Sequence, residues 1–368
     1  MRVAVIAPEG LPIPPGRGGS VQIYLDALVR AWTATPPHTL YLLSPPRLGN
    51  HSDYRSIRHV RIHGKRDLYR RRVLAQLNQL KPDIIQIENR PDFLHVVKQT
   101  YPRARIVLNL HSTTFLGPQH LQPKQVRAIL RKADAVVVNS QYLQTQIERR
   151  FNIDRDEWHP HVIYPGVDLE AFTPSEAQSN APHRPFRVLF IGRVIEQKGV
   201  HTLVRAVQQL NAAHVPVELT IVGQTPPWER IYRQRLVRQS AGLPIRWKGF
   251  VAHQDLPGVL HKHDVLACPS IRDEAFGLVN VEALAAGVPV IASRVGGIPE
   301  VVDTSCGVLV DDYLRPGKFA KAIQRLAEDP DEWHRLQAST TEQAARFTWS
   351  RAASLWLHLY RQLLGKKS

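Results

Sequence analysis

Four charged side chains in the second half of the chain have the types and spacing that suit a phosphorylated sugar. Arg193 and Lys198 follow the apolar run FRVLFIG, so a guanidinium and an ammonium could converge on one diphosphate. Glu274 and Glu282 flank the predicted start of a helix, which puts one carboxylate in a loop and the other on the helix. That helix begins near Gly277 and presents free N–H groups and the positive end of its dipole. A phosphate flanked by two carboxylates is typical of a nucleotide-sugar site, although either glutamate alone is more often a solvated helix residue.

The first half contains a glycine-rich loop and a histidine that could also reach a ligand. The loop PEGLPIPPGRGGS contains Gly16, Gly18 and Gly19 just before a predicted helix, where backbone N–H groups could approach a phosphate. It is too long and lacks the third glycine of a dinucleotide fingerprint, so a flexible turn explains it equally well. His111 ends the run RIVLNL and is expected at the ligand edge of a sheet, while a lone histidine is more often structural.

Apolar runs of strand length alternate with helical patterns along the chain, as in VAVIAP followed by VQIYLDALVRAW. This alternation predicts parallel, doubly wound sheets. It stops in the polar, proline-rich stretch 168–185, which we interpret as a linker before a second series. The sequence therefore predicts an α/β protein with two Rossmann-like domains, residues 1–180 and 181–348, and a closing helix with a basic tail over 349–368. Ligands of such folds bind beyond the carboxyl ends of the strands and in the cleft between domains.

The composition places the chain among globular proteins. Its 368 residues are 43% hydrophobic and 22% charged, which excludes a disordered chain, a fibre and a repeat array. No apolar run approaches the length of a membrane span, and the start of the chain lacks a secretory cleavage pattern, so we expect a cytoplasmic protein. Cys268 and Cys306 both lie beside apolar runs, which predicts two buried, reduced thiols.

The formal net charge of +16 predicts negatively charged partners. The basic excess occurs in both halves of the chain, and no platform of alternating aromatic and basic residues accompanies it. We therefore exclude nucleic acid as the partner. Phosphorylated small molecules and anionic lipid remain.

Two DxD strings could suggest a bound divalent ion, namely Asp154 with Asp156 and Asp329 with Asp331. Neither follows an apolar strand, and the second lies at a proline turn after a helix. We interpret both as surface turns and expect no metal site and no cofactor. Basic side chains and helix dipoles can supply the positive charge that a leaving diphosphate requires.

The runs GRVIEQKG and EAFGLVNVEALAAGVPVIAS resemble the signature of the family 4 retaining glycosyltransferases, which have the GT-B fold. The resemblance extends over nearly the whole chain, through GRGGSVQIYL, the post-strand His111, the PGVD segment and GGIPEVV. The runs APEGLPIPPGRGGSVQIYL and IVLNLHSTTF are most similar to a branch of bacterial spore-coat and cell-envelope glycosyltransferases. The loop QTPPWER departs from the family pattern, which affects the rim of the site.

The resemblance implies roles for individual residues. Glu282 would bind the ribose hydroxyls, and Glu274 would face the hydroxyls of the donor sugar. Arg193 and Lys198 would grip the diphosphate, and His111 would contact the transferred sugar near its anomeric carbon. The remaining donor-binding positions are Gly18, Gly19, Val251, Phe276, Gly277 and Leu278.

The resemblance, together with these residues, implies a retaining transferase that moves a hexose from a nucleoside diphosphate sugar to a polysaccharide, cell-envelope or spore-coat acceptor. UDP-sugars are expected ahead of GDP-mannose. Two alternatives remain open: a nucleotide-sugar epimerase of similar shape, and a non-catalytic coat protein that retains the fold. The intact set of charged residues argues against the second alternative.

The segment Arg55–Arg72 holds eight basic residues against the single acid Asp67. A solvated basic face explains it as well as our sharper hypothesis, which is peripheral docking on anionic membrane or on an acidic acceptor.

Overall fold

The computed structural model describes residues 1–15, 19–32, 38–46, 54, 57–175, 182–272 and 274–365. The chain divides into two compact units, the first formed by Met1–Gly166 with Trp349–Ser368 and the second by Val167–Thr348. This division differs from the predicted boundary at residue 180, because the start of the presumed linker belongs to the second unit. The closing segment also differs from the prediction of a separate element, since it belongs to the first unit.

Within the described residues of the first unit, seven parallel strands form one sheet in the order β3-β2-β1-β4-β5-β6-β7. The strands are β1 (Arg2–Ile6), β2 (Thr39–Ser44), β3 (Ile57–Arg61), β4 (Ile84–Glu88), β5 (Arg105–Leu110), β6 (Ala135–Val138) and β7 (Pro160–Val162). The helices that connect them are α1 (Ser20–Ala31), α2 (Arg66–Leu80), α3 (Pro91–Thr100), α4 (Pro123–Lys132), α5 (Gln141–Phe151) and α6 (Arg155–Trp158). Helices on both faces bury the central strands completely, which explains their near-continuous apolar runs.

The second unit repeats this architecture with six described parallel strands in the order β10-β9-β8-β11-β12-β13. The strands are β8 (Phe186–Ile191), β9 (Val217–Val222), β10 (Ile245–Gly249), β11 (Val265–Cys268), β12 (Val290–Ser293) and β13 (Gly307–Val310). The helices are α7 (Val200–Ala212), α8 (Arg230–Gln239), α9 (Leu256–Leu260), α10 (Leu278–Ala285), α11 (Ile298–Val301), α12 (Pro316–Glu328), α13 (Pro330–Ala338) and α14 (Thr340–Ala345). The prediction of two parallel, doubly wound α/β units is confirmed.

Each sheet has a switch point, where chain order reverses between neighbouring strands. It lies between β1 and β4 in the first sheet and between β8 and β11 in the second. Loops that leave such neighbours at their carboxyl ends diverge to opposite faces, and ligands of open α/β sheets bind in the crevice between them. Functional residues are therefore expected in the loops after β4, β8 and β11.

The last helix, α15 (Trp349–Gly365), packs on α1 of the first unit. Its Trp356 and Tyr360 are fully buried. The Trp356 indole donates a hydrogen bond of 2.8 Å to the Tyr24 hydroxyl of α1, and the Tyr360 hydroxyl donates to Gln86 of β4. The amphipathic pattern of this helix is thus used to complete the core of the first unit. None of the described helices combines the length and the apolar character that a membrane span requires.

At the carboxyl edge of the second sheet, the loop after β11 is held from both sides by glycines of neighbouring loops. Gly199 has φ +66°, and a Cβ on it would lie 1.9 Å from the carbonyl oxygen of Pro269. Gly296 has φ +65°, and a Cβ on it would lie 2.1 Å from the carbonyl oxygen of Glu274. The neighbouring N–H of Gly297 donates to that same oxygen at 2.8 Å. A side chain at either glycine would push the loop after β11 out of place.

We predict that Gly296→Ala destabilises the second unit, because alanine there meets both an unfavourable φ and a backbone clash. The expected cost is about 1–3 kcal/mol. Gly258→Ala is the matched control, since Gly258 lies in α9 with open space around its Cβ position. It is expected to change stability by less than about 1 kcal/mol. Scanning calorimetry and urea unfolding measure both variants, and equal midpoints for the two would contradict the close-contact argument.

Candidate functional site

The loop after β8 carries the two predicted basic residues. Arg193 follows the strand after one glycine and is exposed to solvent. Lys198 ends a short 3-10 turn, Glu196–Lys198, and precedes Gly199 and helix α7. The two cations therefore lie on one loop at the switch point of the second sheet. The sequence analysis also placed both of them after a strand.

Lys198 and Glu274 form an ion pair between the loops that follow β8 and β11. The two side chains are 26% and 17% exposed. Ser270 also donates to the same Glu274 oxygen at 3.3 Å. Burial is the largest single effect and lowers the pKa of Lys198, but the charge and the hydrogen bond of Glu274 act together with smaller contributions in the opposite direction, and the net pKa is raised. The ammonium therefore stays charged, and a ligand diphosphate would compete with Glu274 for it.

The start of α10 lies directly after this pair. Gly277 adopts φ +86° before Leu278, the first residue of the helix, and no side chain caps the helix start. Phe276 is buried and meets Phe347 edge to face at 5.6 Å between ring centroids. Asn280, in the first turn, is fully buried, and neither polar atom of its side chain has a hydrogen-bond partner in the described structure. Uncapped N–H groups at the end of an eight-residue helix favour an anion.

Glu282 lies one turn further along α10 and is 5% exposed. Its carboxylate is 2.6 Å from Nε2 of His253, on the short turn that follows Val251 and the end of β10. The Phe172 ring lies 5.5 Å from the His253 ring. The structure thus pairs Glu282, the predicted ribose-binding residue, with a histidine that the sequence analysis missed. The only signal was a histidine placed two residues after Val251.

The first unit holds the predicted His111 directly after β5. Its Nε2 lies 2.7 Å from a carboxylate oxygen of Glu88, the last residue of β4. The Tyr24 ring packs edge-on against the imidazole, with 4.6 Å between ring centroids. Glu88 was also missed by the sequence analysis, although Gln86 and Glu88 are polar exceptions in the apolar run DIIQIE.

Of the two glycines predicted to bind the donor in the first unit, the structure describes one. Gly19 is described, with φ +94°, immediately before α1 begins at Ser20. Gly18 lies outside the described residues. The roles of both in binding stay predictions.

The two DxD strings serve as helix starts in the structure. Asp154 is the N-terminal flanking residue of α6, which contains Asp156. Asp329 accepts a hydrogen bond of 2.9 Å from the Glu332 N–H at the start of α13, which also contains Asp331. In the part of the chain that the structure describes, no group of three or more His, Cys, Asp or Glu side chains is arranged to hold a metal ion.

Both cysteines are free and buried, as predicted. Burial raises the pKa of the Cys268 thiol. Burial likewise raises the pKa of Cys306, to about 11. Neither thiol is therefore an activated nucleophile at neutral pH.

The basic segment of the sequence analysis is divided by the structure. Arg55 lies outside the described residues. Arg70 pairs with Asp92 at 2.7 Å and also contacts Glu9, while Arg72 donates to the His63 carbonyl oxygen at 2.8 Å. The exposed residues around the start of α2 include Lys65, Arg66, Leu68 and Arg71.

Comparison with known proteins agrees with this architecture. The family model described as Glycosyltransferase Family 4 matches residues 18–171, and the one described as Glycosyl transferases group 1 matches residues 172–344. The chain is 29% identical to spore coat protein SA of Bacillus subtilis (strain 168) over 382 residues, which cover 98% of this chain and 100% of that protein.

Solved structures of similar fold cover the whole chain. Sucrose-phosphate synthase from Thermosynechococcus elongatus superposes with a TM-score of 0.82 at 25% identity, covering 100% of both chains. HepE from Anabaena in complex with UDP-glucose superposes with a TM-score of 0.77 at 21% identity, covering 98% of this chain and 100% of that one. At this level of identity, the similarity is one of fold. From the two doubly wound units and these matches, we conclude that the chain belongs to the glycosyltransferases of GT-B fold and is an enzyme of that class.

Proposed function

We propose that the protein is a retaining glycosyltransferase that moves a hexose from a nucleoside diphosphate sugar to a polysaccharide, cell-envelope or spore-coat acceptor. The observation that carries the proposal is the Lys198–Glu274 pair at the switch point of the second sheet, beside the uncapped start of α10. HepE, which has the same fold, was solved in complex with UDP-glucose, and this supports a UDP-sugar donor. The similarity to spore coat protein SA supports an envelope or coat acceptor.

The charges of the second unit suit a leaving diphosphate. Lys198 is the partly buried cation and Arg193 the exposed one, and the first N–H groups of α10 at Gly277 and Leu278 add partial positive charge. A diphosphate that takes over the Lys198 ammonium would release the Glu274 carboxylate to accept hydrogen bonds from sugar hydroxyls. Cations already positioned where negative charge develops lower the barrier without reorganisation.

The nucleoside would occupy the region of Glu282 and Val251. Glu282 is buried, and its carboxylate can accept hydrogen bonds from the two ribose hydroxyls. The main chain at Val251 would hold the base. The donor would meet the buried aromatic Phe276 only indirectly, through the helix start that this ring supports.

For the first unit, we propose that His111 contacts the transferred sugar near its anomeric carbon, and that the main chain at Gly18 and Gly19 approaches the donor. We assign Glu274, once a diphosphate has displaced it from Lys198, to hydrogen bonds with the hydroxyls of the donor sugar. By its resemblance to the retaining family 4 enzymes, we propose front-face attack by the acceptor rather than a covalent glycosyl-enzyme. No metal ion and no cofactor take part in this proposal, because dipoles and cations supply the positive charge.

A screen of UDP-, GDP- and ADP-sugars tests the proposal by thermal shift and by release of the free nucleotide, with and without excess EDTA. We expect UDP-sugars to lead, GDP-mannose to follow, and turnover to persist in EDTA. Lys198→Ala should lower kcat/KM by about 10²-fold while the protein stays folded. Lys262→Ala is the matched control, because this exposed lysine precedes β11 and so lies at the opposite edge of the sheet.

Several outcomes of the screen would reject parts of the proposal. Conversion of the donor to an epimeric donor without acceptor would favour the epimerase alternative. Absence of turnover and binding with all donors would favour a non-catalytic coat protein. Loss of activity in EDTA that manganese or magnesium restores would reject the metal-free mechanism.

The two carboxylates are expected to have separable roles. Glu282→Gln should weaken binding of both UDP and a UDP-sugar, because the ribose is common to both ligands. Glu274→Gln should weaken mainly the UDP-sugar. Isothermal calorimetry measures both variants, with Glu342→Gln on α14 as an exposed control. Equal losses for both ligands in both variants would rule out this division.

We also propose that the enzyme is cytoplasmic and attaches to anionic membrane through the start of α2, where Leu68 is 49% exposed beside the exposed Lys65, Arg66 and Arg71. Each basic residue near an anionic surface contributes about 1 kcal/mol, which salt screens. Flotation with phosphatidylglycerol vesicles should show salt-sensitive binding that is lost when Lys65, Arg66 and Arg71 are changed to serine. A control with the same charge change at three dispersed, exposed positions, Lys81, Arg103 and Lys124, should keep binding. No binding at low salt would reject the attachment.

A further inference from the structure

Glu88 is a charged residue inside the first unit that the proposed function leaves without a role. It ends β4, and its side chain is completely inaccessible to solvent. Burial of a carboxylate costs several kcal/mol unless hydrogen bonds compensate for the lost water. A fully buried glutamate at the carboxyl end of a central strand, beside the switch point with β1, therefore has to be well satisfied by its neighbours.

Every hydrogen-bonding neighbour of Glu88 in the described structure can offer it an N–H. The Asn109 amide donates to both carboxylate oxygens, at 3.0 and 3.2 Å, and the Gln86 amide donates to one of them. Nε2 of His111 lies 2.7 Å from the other oxygen. Since a carboxylate in such surroundings only accepts, His111 must carry a proton on Nε2. Nδ1 is then the ring nitrogen available to another partner.

Residues of α15 extend the hydrogen-bond network around Glu88 and His111. The Tyr360 hydroxyl donates to the Gln86 carbonyl oxygen, which fixes the orientation of that amide and directs its NH₂ group to Glu88. The Tyr24 ring packs against His111, and its own hydroxyl accepts from Trp356. The imidazole is thus held by a hydrogen bond on one side and by a ring on another.

We propose that Glu88 is a positioning residue for His111: it fixes the Nε2–H tautomer and the ring orientation, so that Nδ1 is the nitrogen presented to the transferred sugar. This inference rests on the proposed function of His111. A neutral imidazole with a fixed tautomer offers an acceptor at Nδ1, which suits a sugar hydroxyl. An imidazole with the proton on Nδ1 would present a donor to the sugar, and a ring that rotates freely would present no fixed acceptor.

The tautomer is tested without any substrate. Protein labelled with ¹⁵N-histidine gives separate Nδ1 and Nε2 shifts, and the His111 signals are assigned by their loss in His111→Ala. We expect the Nε2–H tautomer in the native protein and a shift toward Nδ1–H or a mixture in Glu88→Gln, because the new amide N–H faces Nε2. Glu88→Met has no acceptor comparable to a carboxylate and should lose the preference altogether; it serves as the second variant if one of the two does not fold.

Asp134→Asn is the matched control for the loss of a partly buried carboxylate. Asp134 accepts from Lys98, Arg105 and the Ile106 N–H at the opposite edge of the same sheet, so its loss should lower stability and leave the His111 tautomer unchanged. Persistence of the Nε2–H tautomer in both Glu88 variants, or its loss in the control, would overturn the proposal.

Kinetics separate this inference from the proposed function. Glu88→Gln should lower kcat by roughly 10- to 100-fold with little change in the donor KM, and it should add little to the loss caused by His111→Ala. Additive losses in the double variant would reject action through His111. If His111→Ala keeps full kcat, the role of His111 in the proposed function fails, while the tautomer measurement still decides whether Glu88 positions the ring.

Discussion

The carboxyl edge of the second sheet depends on backbone contacts that leave no room for a side chain. Gly199 brings the loop after β8 against the carbonyl of Pro269, and Gly296 brings the loop after β12 against the carbonyl of Glu274. The loop after β11 is thereby held between its two neighbours. The ion pair of Lys198 with Glu274 follows from this packing, because its two partners belong to the loops so joined.

The ion pair in turn gives the site its electrostatic character. An ion pair so little exposed is not by itself a source of stability, because the loss of hydration offsets much of the attraction between the charges. It does keep the Lys198 ammonium and the Glu274 carboxylate together beside the start of α10. An anionic ligand can replace the Glu274 carboxylate as the partner of the Lys198 ammonium. The buried side-chain amide of Asn280, in the first turn of the same helix, has no hydrogen-bond partner in the described structure, which is a second local cost in stability at this site.

The first unit positions its histidine by a different principle. There the polar groups are inside, and Glu88, Asn109 and Gln86 satisfy one another around the end of β4. The last helix of the chain supplies the tyrosine that fixes the far end of this network. Distant parts of the sequence thus meet at one imidazole, and the helix that closes the chain belongs structurally to the unit with which it starts.

The sequence by itself determined the fold class and the candidate residues of the second unit. Alternating apolar runs and helical patterns specify parallel sheets through local periodicity, and Glu274 and Glu282 lie close enough in sequence to be assigned to one loop and the helix that follows it. The tertiary structure decided the boundaries of the units and the contacts between residues that are far apart in the sequence. Residue 167, rather than 181, begins the second unit, and α15 packs on α1, because contacts and not composition define a unit. Glu88 and His253 became visible only as partners of His111 and Glu282, which lie 23 and 29 residues away along the chain. Periodicity shows which side chains are buried, but only the packing of strands side by side shows which buried polar groups meet.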